Sequence, residues 1–163
     1  ATLKKYQPYI DIIMDDLGLT KNVHIEWVFG SYTYMGGDAV LYGNVNSKHI
    51  RFGRIRVDKI QGHGEILRIL MHELRHIYQA YTGRLQQADR IGNKPAQTWD
   101  GQVYQQYGIK KSSEYTKYLA LPWEVDARSY EKEKDLLFPN GRIITKVYVG
   151  SIGKIKFYKI KGN

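Results

Sequence analysis

The chain has 163 residues, enough for one domain with its own core, and it has no cysteine. Disulfides and thiolate metal sites are therefore excluded, and any metal must be held by His, Asp or Glu. The 25 basic and 16 acidic residues leave a net charge of +9, which brings nucleic acid into consideration as a partner.

Leu3, Tyr6, Ile10, Ile13, Met14 and Leu17 recur at helical spacing and predict a helix over residues 3–18, with Gly18 as its stop. Ala1-Thr2-Leu3-Lys4-Lys5 lacks the apolar core of a secretory signal. With no cysteines, this reads as a cytoplasmic protein. No apolar run approaches the roughly 20 residues of a membrane span, and no membrane partner is expected. Strands are predicted over 23–30, around 39–45 and over 50–57, followed by a helix from 64 to 81 that Gly83 ends. Arg84 to Ser112 is polar, contains Gly92, Pro95 and Gly101, and reads as a long excursion with a short helix near Val103. Pro122 opens a second long helix to about Leu136. Pro139-Asn140-Gly141 marks a turn. Residues 143–149 and 154–160 form a hairpin around Gly150-Ser151-Ile152-Gly153. With no internal repeat or boundary, residues 1–163 read as a single α+β domain. Basic residues concentrate at Arg51 to Lys59 and Lys154 to Lys161, alternating with apolar ones. That pattern suits the solvent faces of strands, and a nucleic-acid footprint is the rival reading.

The helix at 64–81 carries His72-Glu73-Leu74-Arg75-His76, an H-E-x-x-H pattern. Residues four apart lie one above the other on a helix, so two imidazoles can reach one zinc ion. Glu73 projects about 100° further round, where it can reach a water at the metal without being a ligand. Leu67, Leu70, Leu74, Ile77 and Tyr81 form an apolar stripe, while Glu65, Ile69, His72, His76 and Gln79 lie on the other side. A catalytic zinc takes three protein ligands. No histidine follows His76, and the extended motif of metzincins would need Gly and His where Gln79 and Thr82 stand. The third ligand is therefore expected to be a carboxylate. Glu124 is the first choice, 48 residues after His76 in Leu121-Pro122-Trp123-Glu124-Val125-Asp126-Ala127-Arg128. Glu114, Glu131 and Asp126 are the fallbacks.

A helical H-E-x-x-H followed by a Glu-x-x-Ala helix, here Glu124 to Ala127, resembles the gluzincin metallopeptidases, especially their small single-domain members. The resemblance implies a zincin-like fold: a small mixed sheet packed on the metal helix and a second ligand-bearing helix, here with a C-terminal hairpin. It also implies one Zn2+ held by His72, His76 and Glu124, with Glu73 as general base and acid in peptide-bond hydrolysis. The substrate would be a protein or peptide. Thermolysin-like members place an Asp four positions after the ligand Glu, where this chain has Arg128. Support for the ligands must come from elsewhere, with Asp126, Asp89 and Asp100 as candidates. Tyr104, Tyr107, Tyr115 and Tyr118 are candidates to stabilise the oxyanion. The strand at 50–57 precedes the metal helix, as the substrate-aligning edge strand does in zincins, and an ordinary sheet strand is the alternative. Two alternatives stand beside the peptidase. One is a regulatory or binding module on a zincin scaffold, as in ImmA/IrrE-like domains; the other is a basic nucleic-acid-associated protein with a structural metal.

Overall fold

The helix α2 (His63–Tyr81) is enclosed on nearly every side, its polar residues His72, Glu73 and Gln79 included. Ile66, Leu67, Ile69, Leu70, Met71, Leu74 and Ile77 are all buried, so no single stripe describes it. The structure, a computed structural model, describes residues 2–19, 23–30, 36–42, 51–59, 61–108 and 112–162. Before α2 come α1 (Leu3–Asp16), β1 (Val23–Gly30), β2 (Gly37–Tyr42) and β3 (Arg51–Asp58). After it come β4 (Leu85–Ile91), β5 (Lys94–Trp99), β6 (Gln102–Gln105), α3 (Ser112–Leu119), α4 (Pro122–Glu131) and α5 (Lys134–Leu137). A single 3₁₀ turn at Pro139–Gly141 leads to β7 (Ile144–Ile152) and β8 (Ile155–Gly162). The architecture is mixed α+β, with three small sheets among the described residues. No helix among the described residues is long and apolar enough to cross a membrane.

The first sheet is mixed, in the order β1-β3-β2, with β3 parallel to β1 and antiparallel to β2. Its inner face sends Ile55 and Val57 into a core shared with Tyr6, Ile10 and Ile13 of α1 and with α2. Its outer face pairs Arg54 with Glu26 at 3.0 Å and Arg56 with Asp38 at 2.8 Å. Part of the charge on the basic segment is thereby neutralised across strands, as the solvent-face reading expects. Of the two readings of this segment, a substrate-aligning edge strand or an ordinary sheet strand, the second holds: β3 is central and paired on both sides, and among the described residues β2 is the edge beside α2. Strand order is set by non-local pairing, which chain position does not reveal.

The backbone of β2 at Gly37 lies against side chains of α2. A Cβ on Gly37 would come within 2.8 Å of both the Arg56 carbonyl oxygen and Ile69 Cγ2, and within 3.4 Å of Glu73 Cγ. Only glycine permits this approach, and it brings the strand against the helix at the level of Glu73.

The polar excursion is a three-stranded antiparallel sheet, β4-β5-β6, and Val103 lies on β6 instead of a short helix. Its second hairpin turns on Asp100-Gly101, both at positive φ (49° and 84°), the geometry that two-residue hairpin loops favour. Trp99 joins Leu121 and Trp123 in a second, smaller core beneath this sheet. The predicted long helix from Pro122 stops at Glu131 and resumes as the short α5. In the C-terminal hairpin, Ile152 pairs with Ile155 across Gly153-Lys154, so the turn is tighter than expected and Gly150 belongs to the strand. The predicted continuation of the second strand to residue 45 lies outside the described residues.

Gly37→Ala is expected to lower the stability of the fold by about 1–3 kcal/mol, the usual range for overpacking a tight contact. Urea unfolding of the two proteins measures it, and an unchanged midpoint would refute the close approach of β2 to α2.

Candidate metal centre

Successive turns of α2 carry His72 and His76, and the first turn of α4 carries Glu124. Pro122 starts α4 at a position where its missing N–H costs nothing. Ala127, fully buried one turn after Glu124, leaves room for α4 to lie against α2. The Nε2 atoms of His72 and His76 stand 3.1 Å apart. Glu124 places Oε2 3.2 Å from His72 Nε2 and Oε1 3.2 Å from His76 Nε2. His72, Glu73 and Glu124 are all buried, at 9 %, 5 % and 4 % exposure.

The outer nitrogens explain how the rings are aimed. His76 Nδ1 meets Gln79 Oε1 at 2.8 Å. The other end of that amide meets only acceptors, the Trp123 carbonyl at 2.9 Å and the Asp126 carboxylate at 2.8 Å. It must therefore be the NH2, so Gln79 presents its oxygen to His76 and His76 carries its proton on Nδ1. Asp126 is held in turn by Arg75, with Nε at 2.8 Å and Nη2 at 3.0 Å. His72 Nδ1 donates to Glu131 Oε2 at 2.8 Å, and Arg68 Nη1 donates to the same oxygen at 2.9 Å. Both imidazoles therefore turn Nε2 lone pairs toward each other and toward a carboxylate.

Acceptors do not converge in a buried site without positive charge among them. Protons can supply it: burial opposes a charged His72, but hydrogen bonds to Glu124 and Glu131 outweigh it and push its pKa up to about 9. Burial likewise opposes ionisation of Glu124, and its hydrogen bonds to His72 and His76 overcome this and hold it below the usual carboxylate range. A cation can supply the charge instead. Four-coordinate zinc with bonds of about 2.0–2.1 Å has ligand–ligand edges of about 3.3–3.4 Å, close to the separations found here. The His72, His76 and Glu124 ligand atoms all lie within 4.8 Å of one another, and the donor set of two imidazoles and a carboxylate suits zinc.

Glu73 shares a cleft of about 420 Å³ with Gly37, Asp38, Gln97, Tyr107 and Tyr118. Burial is the main cause pushing its carboxyl above the ordinary range, with nearby His76 and His72 opposing. A second cavity of about 190 Å³ lies on the His72 side, and Glu73, Tyr118 and Glu124 line both. Burial first, then the charge and hydrogen bond of Glu124, push the Tyr118 hydroxyl well above its usual range.

The other residues singled out in the sequence take different places. Glu131 and Asp126, fallback ligands, brace His72 directly and His76 through Gln79. Glu114 accepts from the Gly108 N–H. Asp100 pairs with Arg84, and Asp89 lies on β4. Arg128, where an Asp was sought, donates to the Glu124 carbonyl at 3.3 Å and to the Leu119 carbonyl, tying the end of α3 to α4. Tyr115 stacks on Tyr118, and Tyr104 packs edge-on against Trp123. His63 bridges Tyr6 and the Gly141 carbonyl, and His24 is on β1. His49 lies outside the described residues. Sequence reasoning gives Gln79 no role beyond breaking the metzincin pattern; its place three residues after His76, on the same side of α2, is the signal that points to it. No protein-family model, curated protein or solved structure matches the chain.

Gln79→Ala is expected to weaken zinc binding about 10- to 100-fold in competition with a chelator. In ¹⁵N spectra of the metal-free protein, the same change should release His76 from its Nδ1–H form. Zinc uptake at neutral pH should expel protons, and affinity should rise with pH until His72 is neutral, above about 9. Calorimetry in buffers of different ionisation enthalpy reads the proton count, and zero would refute the charged resting state.

Proposed function

We propose that this chain is a zinc-dependent metallopeptidase of the gluzincin type. The reading rests chiefly on one observation: buried acceptors of His72, His76 and Glu124 converge beside a buried Glu73 at the wall of an open cleft. His72, His76 and Glu124 would hold the ion, and Glu131 and Gln79 would keep the two imidazoles oriented. Zinc, when bound, polarises the scissile carbonyl and makes water acidic enough to attack near neutral pH.

The chain's own groups do the rest. Glu73 takes the proton of the attacking water and passes it to the leaving amine, so it must exchange protons near neutral pH. Its burial moves its affinity for protons in that direction. Tyr118, which lines the cleft beside Glu124, would donate a hydrogen bond to the developing oxyanion. Among the described residues strand β2 is a sheet edge, and its Gly37, Asp38 and Ala39 line the same cleft. An extended peptide can add to such an edge through main-chain hydrogen bonds. The zincin-like arrangement proposed here is thus a mixed sheet, its edge strand, the metal helix and the second ligand-bearing helix.

Glu73→Gln should keep its zinc and lose about 10²- to 10⁴-fold in kcat on a peptide-library substrate. Tyr118→Phe should lose about 10²- to 10³-fold in kcat with KM little changed. Full turnover by Glu73→Gln would remove the peptidase mechanism, and wild-type protein that binds zinc but cuts no library peptide would point to a non-peptidase role.

A further inference from the structure

The C-terminal hairpin is the one part of the molecule, among the described residues, whose large apolar side chains mostly face outward. Val149, Ile152 and Ile155 are 62 %, 74 % and 64 % exposed, and Tyr148, Phe157 and Tyr158 are about half exposed. These groups occupy both faces. Adjacent residues of a strand point to opposite sides, so Phe157 and Tyr158 face opposite ways, and Tyr158 meets Tyr148 edge-on at 6.0 Å. From Arg142 to Asn163 there are six basic residues (Arg142, Lys146, Lys154, Lys156, Lys159 and Lys161) and no acidic one.

The pairs are graded along the hairpin. Ile152 and Ile155 flank the turn, followed by Ser151 with Lys156, then Gly150 with Phe157, with Val149 bulged beside them. Next comes the Tyr148–Tyr158 pair, and behind it the positions of Val147 with Lys159, Lys146 with Ile160 and Thr145 with Lys161. From the turn to the tyrosine pair is about 10 Å at about 3.4 Å per residue. An aliphatic end, a tyrosine rung and a basic base are the order in which a lipid interface presents its acyl boundary, its carbonyl region and its phosphates. Shallowly inserted elements bury about 5–10 Å. Lys154 and Lys156 have stems long enough to carry their charges back to the headgroups.

We infer that this hairpin docks the protein on an anionic lipid surface, with Val149, Ile152, Ile155 and Phe157 at the acyl boundary and Lys154 and Lys156 on headgroup phosphates. Two features favour lipid over other polyanions. Aliphatic side chains, the most exposed here, offer nucleic-acid bases no stacking surface. Apolar groups on both faces suit a medium that surrounds the end of the hairpin, whereas a groove on a protein would cover one face. The expectation of no membrane partner considers only spanning segments, and a hairpin at the interface needs none.

The test is co-sedimentation of the full chain with vesicles of phosphatidylcholine alone or in equal mixture with phosphatidylserine. The expected result is binding to the anionic vesicles only, weakening as salt is raised. Lys154→Glu with Lys156→Glu should weaken it about tenfold or more. Ile152→Asp with Ile155→Asp should abolish it while the circular-dichroism spectrum and the urea midpoint stay unchanged, which shows that the fold is intact. Absence of binding to anionic vesicles would overturn the inference, as would vesicle binding that the double Ile→Asp variant leaves intact. Retention on single-stranded DNA by both proteins, with vesicles ignored, would instead assign the lysines to nucleic acid.

Discussion

Everything at the centre of this molecule follows from mutual repulsion. Two imidazole lone pairs and a carboxylate are brought within 3.1–3.2 Å of one another in a buried place. Left alone, such groups would turn away. They are prevented from doing so on their far sides, where Glu131 and Gln79 each accept an Nδ1 proton. The outer partners are thus as much part of the site as the inner ones, because they forbid the rotation or tautomer change that would relieve the conflict. Folding therefore prepares a place for positive charge, at a cost that protons or a cation offset on arrival.

The packing around α2 serves the same end. Residues that would be a polar face on a surface helix, His72, Glu73 and Gln79, are buried here because α4 and β2 lie against that side. Burial without partners would be costly, and the network around the two imidazoles and Gln79 supplies them. Small residues make it possible: Ala127 on α4 and Gly37 on β2 stand where the neighbouring elements come closest. A larger residue at either place would separate the helix from the wall that completes the site.

Much of this arrangement is legible in the order of the amino acids. The i, i+4 histidines define a helix face by geometry alone, and the lack of a later histidine directs attention to carboxylates near Pro122. The braces are harder to read. Glu131 follows Glu124 by two turns of one helix, so it shares a face with the ligand, but a carboxylate that accepts from a histidine looks the same in sequence as one that binds a metal. Gln79 is hidden because an amide signals no chemistry until its partners are known. Sheet β4-β5-β6 lacks apolar alternation in its sequence: many of its side chains are exposed, and the inward ones of β4 and β5 include Leu85, Ala88, Ala96 and Trp99 at no two-residue period. The Asp100-Gly101 dipeptide is the stronger cue, and it marks the turn.

Helix α4 enters two cores at once. Trp123 packs into the small cluster under β4-β5-β6, while Tyr130 packs into the main one and bonds Asp16 at 2.9 Å. Glu124 sits between them, and the Trp123 carbonyl is what orients Gln79. The geometry of the His72, His76 and Glu124 cluster is therefore linked through Trp123 to a small, polar sheet. A disturbance there, such as a loosened Trp99 or a ligand bearing on Gln97, has a short mechanical route to His76 that bypasses the main core. The cluster thus rests on two cores of unequal size, joined through a single helix.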